Sequence, residues 1–122
     1  AGGETPPSTQ YDNTETWDGS SWAEVNNLNT ARAYVGSSTN SGSGMSVFAG
    51  SPSGGTPTVT VTEQFDGTSW TEVADLATAR RSGAGAGTAV SALLASGYTG
   101  TASSNATEEW TVPGATKTLS VS

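Results

Sequence analysis

One stretch of this sequence occurs twice. Thr14 to Arg32 reads TETWDGSSWAEVNNLNTAR, and Thr62 to Arg80 reads TEQFDGTSWTEVADLATAR, without a gap between them in the alignment. Twelve of the 19 positions are identical: Thr14/Thr62, Glu15/Glu63, Asp18/Asp66, Gly19/Gly67, Ser21/Ser69, Trp22/Trp70, Glu24/Glu72, Val25/Val73, Leu28/Leu76, Thr30/Thr78, Ala31/Ala79 and Arg32/Arg80. A third copy starts at Thr107-Glu108-Glu109-Trp110 and then departs, with Thr111-Val112-Pro113-Gly114 in place of the Asp-Gly-Ser-Ser-Trp run. The two copies are offset by 48 residues throughout, and a period in this range marks a repeat architecture, whose end units diverge because they meet different neighbours.

The local signals within a unit are those of strands. Thr14 to Trp17 and Val59 to Phe65 alternate in polarity. Asp18-Gly19 and Asp66-Gly67 predict two-residue type I′ hairpins, where Gly supplies the positive φ. The return strands are Trp22 to Val25 and Trp70 to Val73. Leu28 and Leu76 follow after polar links. Ala33 to Ser38 and Ser82 to Thr88 are small-residue strands, whose glycines suit a place where backbones crowd. Met45 to Gly50 and Val90 to Gly97 are the most apolar runs and predict buried strands. Four short strands per unit at this period predict an all-β propeller-like architecture.

Composition agrees. The 20 Thr favour strands, and the 18 Ser and 16 Gly favour turns. The regular placing of 4 Trp, 3 Tyr and 2 Phe argues against a low-complexity coil.

The pattern resembles the kelch repeat. In that repeat an apolar strand ends in a Gly pair, followed by two spaced aromatics, an apolar residue and an Arg. Gly2-Gly3 resembles the Gly pair, Trp17 and Phe65 the first aromatic, and Trp22 and Trp70 the second. Leu28 and Leu76, then Arg32 and Arg80, complete it. Ala49-Gly50 and Ser96-Gly97 keep only the second Gly, and the aromatic spacing is tighter than usual. The style of the hydroxyl-rich units is also similar to that of structural and tail proteins of marine bacteriophages. The resemblance implies kelch-like β-propeller blades, each a four-stranded antiparallel sheet. The chain divides into the second half of a blade (1–32), a complete blade (33–80) and a divergent blade (81–122), about two and a half in all. Lys117 to Ser122 is expected as the last outer strand. Since a propeller closes with at least four blades, we expect the partners to be other blades, in a longer chain or in an oligomeric ring.

The structural positions of the repeat are Trp17, Asp18, Gly19, Trp22, Leu28, Arg32, Phe65, Asp66, Gly67, Trp70, Leu76, Arg80 and Trp110. We expect Trp22 and Trp70 to pack between neighbouring blades. Arg32 and Arg80 are expected to pair with Glu24 and Glu72, or with backbone carbonyls.

Several functions are disfavoured. With no His and no Cys, the chain lacks the commonest general base and metal ligands. Copper-dependent sugar oxidation, known among kelch-like propellers, needs His and Cys with Tyr. Asp18 and Asp66 have no calcium-loop ligand series around them. Glu108-Glu109 with Glu15 or Glu63 offers a carboxylate pair, but a residue recurring in each unit reads as structural. Gly83 to Gly87 lacks the Lys of a phosphate loop. Asn105-Ala106-Thr107 fits a glycosylation sequon. A net charge of -7 opposes nucleic-acid binding, and no run is apolar enough for a membrane span. No catalytic residue, metal or cofactor is therefore expected. The expected role is a virion or extracellular structural module, in contact with other virion proteins or with a host glycan or protein; the alternative is a secreted or cell-surface bacterial kelch-type module that binds a protein. Its binding surface belongs with features found in one unit only: Arg81, where the first unit has Ala33, Tyr34 and Tyr98 near strand ends, and the loops Ser37 to Gly44 and Ser51 to Thr56.

Overall fold

The computed structural model describes residues 1–38, 44–54 and 56–111. All its regular elements are β. Gly3–Thr5 (β1) and Thr9–Tyr11 (β2) form a hairpin. Thr14–Trp17 (β3) and Trp22–Val25 (β4) form a second two-stranded sheet. Gly36–Ser37 (β5), Met45–Phe48 (β6), Thr62–Phe65 (β7) and Trp70–Val73 (β8) make a four-stranded antiparallel meander. Ala84–Thr88 (β9), Ser91–Ala95 (β10) and Thr107–Thr111 (β11) make a three-stranded one. The segments expected at Lys117 to Ser122 and Thr111 to Gly114 lie, apart from Thr111 itself, outside the described residues.

The repeat is visible in the registers. Trp17 faces Trp22 and Thr14 faces Val25, as Phe65 faces Trp70 and Thr62 faces Val73. Two cores recur with it. Leu28, Val47, Phe65 and Trp70 form one, with Val25 against it. Leu76, Leu94 and Trp110 belong to the other, with Val73 against it. Each core joins the Leu of one unit to strands of the next. The cores therefore lie between sheets, where apolar faces are removed from water.

The inner strands are built for close approach. β9 lies alongside β5 and β6. A Cβ on Gly85 would run into the backbone of Ser37, and one on Gly36 into the side chain of Leu94. The small-residue strands expected from sequence are thus present, shortened to Gly36–Ser37 and Ala84–Thr88.

The other strand expectations are met with four corrections. The run expected from Val90 to Gly97 is a strand only over Ser91–Ala95, and Val90 lies exposed in the turn before it. β7 begins at Thr62, not Val59. The 59–61 segment instead uses its backbone in loop bonds: Val59 N–H donates to Gly50 O, and Val61 O accepts from Ala49. Ala1 to Gly3 leads into the β1–β2 hairpin, which the sequence did not predict. The outer hairpins are not type I′ turns about Asp-Gly. Their central residues are Gly19-Ser20 and Gly67-Thr68, enclosed by bonds from Asp18 N–H to Ser21 O and from Asp66 N–H to Ser69 O. Gly19 and Gly67 take positive φ, but Ser20 and Thr68 do not, whereas type I′ requires it at both.

Candidate functional site

The repeat residues assemble into an interface that occurs twice. Arg32 is fully buried and pairs with Glu63, equally buried. Its Nη2 points to Val47 O. Arg80, also fully buried, pairs with Glu108 at 3.0 Å and donates to Ala106 O and Leu94 O. Each Glu also accepts a backbone donor: Asn29 N–H to Glu63 at 2.6 Å, and Ala77 N–H to Glu108 at 2.5 Å. Asn29 and Ala77 are equivalent repeat positions. Glu63, fully buried, has both oxygens bonded, which offsets its desolvation; Glu108 is partly exposed and meets Arg80 as an ion pair.

This corrects the expected pairing of Arg32 with Glu24 and of Arg80 with Glu72. The partner comes from the next unit. Opposite residues of an antiparallel pair share a face, so Glu24 lies with Glu15 and Trp17 on the far side of its sheet. Arg32 lies beyond the near side, where the second sheet begins. The backbone-carbonyl part of the expectation is met.

The two repeated tryptophans part company. Trp70 is 6% exposed, and its Nε1–H donates to Thr14 Oγ1 of the preceding unit at 2.9 Å. Trp22 is 66% exposed and lies 5.4 Å from Trp17, which is 52% exposed. Packing between sheets therefore holds for Trp70 and not for Trp22, because the described residues place no sheet against that face. Thr62, the counterpart of Thr14, has its buried Oγ1 without a partner among the described residues. The third unit lacks the Trp that would fill that role.

Asp18 and Asp66 cap their hairpins. Asp18 Oδ1 accepts from Ser20 N–H at 2.7 Å and Ser21 N–H at 2.8 Å. Asp66 Oδ1 accepts from Thr68 and Ser69 N–H, both at 2.8 Å. Backbone donors favour the ionised form. They lower Asp18 from 3.8 to about 2 and lower Asp66 as well.

The Gly-pair positions keep one geometry despite their sequence departure. Gly2-Gly3, Ala49-Gly50 and Ser96-Gly97 all have positive φ at both residues. Gly3 N–H donates to Arg32 O and Gly50 N–H to Arg80 O. A Cβ at Gly50 would strike Ala33 O and one at Gly97 would strike Arg81 O, whereas at Gly3 there is open space and only the positive φ favours Gly.

The residues found in one unit only gather together. Arg81 and Tyr98 form an isolated bridge with mutual N–H to O bonds of 2.9 Å. The Arg81 guanidinium lies 5.2 Å from the Tyr34 ring centroid and 5.1 Å from that of Tyr98, within cation–π range on both. The Tyr34 hydroxyl donates to Glu4, which also accepts from Gln10 Nε2 at 2.8 Å. The bond to Glu4 raises the Tyr34 pKa above its usual 10.0. Tyr34 itself has a left-handed backbone, φ 59°, and its carbonyl accepts from Ser82 N–H. Glu4 and Gln10 belong to the unpredicted hairpin, so sequence reading found Tyr34, Arg81 and Tyr98 and missed these two. Among the described residues, no three of His, Cys, Asp and Glu converge on a metal-sized position. No protein-family model matches the chain, and no curated protein matches it.

Proposed function

We propose that this chain is a non-enzymatic structural module of a virion tail, fibre or other extracellular surface. It is built from kelch-like propeller blades, and it binds a host glycan through the face formed by Tyr34, Arg81 and Tyr98. One observation carries the reading. The recurring charged residues Arg32, Glu63, Arg80 and Glu108 are spent on contacts between sheets, while the unrepeated Arg81 stands between two tyrosines at strand ends. Tyr and Arg dominate binding hot spots, because they offer large contact area and directed donors at small entropic cost. Tyr34 is 39% exposed and available for stacking. Variable elements on a rigid scaffold are the usual seat of specificity.

A glycan-array screen tests this. Binding that Arg81→Ala abolishes, without a change in fold, supports it. No binding to any glycan reduces the chain to a purely structural module.

A further inference from the structure

The open face of the first sheet carries the same groups that the other sheets use for docking. Glu15, Trp17, Trp22 and Glu24 share it, and all four are exposed. The counterparts of the first three, Glu63, Phe65 and Trp70, are buried against the preceding unit, while Glu72, the counterpart of Glu24, stays exposed. There, Glu63 receives Arg32 and the Asn29 N–H, Phe65 and Trp70 pack with Leu28, and Trp70 Nε1 reaches Thr14. The next interface repeats the ion pair, with Glu108 receiving Arg80 and the Ala77 N–H.

We propose that the Glu15–Trp22 face is an interface for a further blade of the same repeat type, one that presents a Leu followed four residues later by an Arg. The Arg would pair with Glu15, a backbone N–H near it would give Glu15 its second donor, and a Thr would accept from Trp22 Nε1. The occupant is chosen by continuity and by charge. The face extends an interface used twice in this molecule, and it is acidic where the partner edge is cationic. A second copy of the chain does not have this edge to offer, because Arg32 and Arg80 are each fully buried in their own pairs. Two exposed tryptophans in contact are otherwise a costly surface for a soluble protein.

The inference rests on the reading of the chain as blades, and its test uses stability alone. A failed glycan screen leaves it standing. Splicing residues 1–50 ahead of residues 4–122 supplies the missing edge from the chain's own repeat, because Gly50 occupies the place of Gly3. Arg32 of the upstream copy then meets Glu15 of the downstream copy. Glu15→Gln should leave the unfolding midpoint of the unaltered chain where it is. In the spliced chain, the same change in the downstream copy should raise the unfolding equilibrium constant by about 150-fold or more, as for loss of one partner of a buried pair. Equal effects of Glu15→Gln in both backgrounds overturn the proposal. A second splice, residues 1–61 ahead of residues 14–122, joins the copies at the equivalent positions Thr62 and Thr14 and guards against a faulty junction, and failure of both to unfold as one cooperative unit also overturns it. So does a native-mass dimer of the unaltered chain that Glu15→Arg dissolves, since it would put a second copy on this face.

Discussion

At the scale of single residues, the decisive group is Glu63. It sits fully buried among apolar side chains, with Arg32 and the Asn29 N–H as its partners. Removing its charge leaves Arg32 buried without compensation. Glu63→Gln should therefore cost about 3–5 kcal/mol, read by urea denaturation. Glu15→Gln, at the equivalent but exposed position, should fall within about 0.5 kcal/mol of the parent. The capping aspartates give a pH signature. Asp18 is lowered from 3.8 to about 2, and Asp66 is lowered too. A lowered carboxylate contributes its stability in full above the unfolded value and loses it as protons bind. The acid limb of stability should thus fall between about pH 4 and pH 2. The double variant Asp18→Asn, Asp66→Asn should flatten that limb, as measured by thermal unfolding across pH. Asn keeps an acceptor for the turn, so the fold should survive at neutral pH.

At the scale of elements, hairpins, return strands and small-residue strands were legible in the sequence because their causes are local. Asp-Gly breaks a strand, and the return strands begin on Trp and end on Val, both strand-favouring residues. The turn type was misjudged because Asp18 acts through its side chain, which shifts the bend to Gly19-Ser20. β1–β2 was missed because Glu4 to Tyr11 holds two prolines and little alternation. The crowding of β5 against β9 gives an element-scale prediction. Gly85→Val should force the Ser37 backbone away and loosen the two sheets together. The loss should appear as faster hydrogen exchange in both β5 and β9, although Val has the higher β propensity. Leu94→Ala, in the second core, should cost about 2–5 kcal/mol in denaturant unfolding.

At the scale of the whole molecule, stability is distributed along a stack in which each sheet leans on the next. Such a system behaves as a sum of unit and interface contributions. The tryptophans report it directly. Trp70→Ala should cost about 3–5 kcal/mol, because it empties the first core. Trp22→Ala should change stability by less than about 0.5 kcal/mol in the unaltered chain. Acrylamide quenching of single-Trp variants should rank Trp22 and Trp17 well above Trp70 and Trp110, in line with their exposure.

The 48-residue correspondence of Thr14–Arg32 with Thr62–Arg80 determined, by itself, that the chain is all-β and that equivalent residues take equivalent places. Strand period, turn residues and β-branched content act over a few residues, so a linear reading reaches them. The tertiary structure decided which partner each residue meets. Arg32 lies closer in sequence to Glu24 than to Glu63, yet the sheet turns Glu24 to its far side and brings Glu63 of the next unit to the guanidinium. Trp22 and Trp70 are the same residue in the same local sequence. Only the presence of a neighbouring sheet buries one and leaves the other open. Facing and neighbourhood are relations between units, and the repeat that makes the units alike cannot by itself say which face of each is covered.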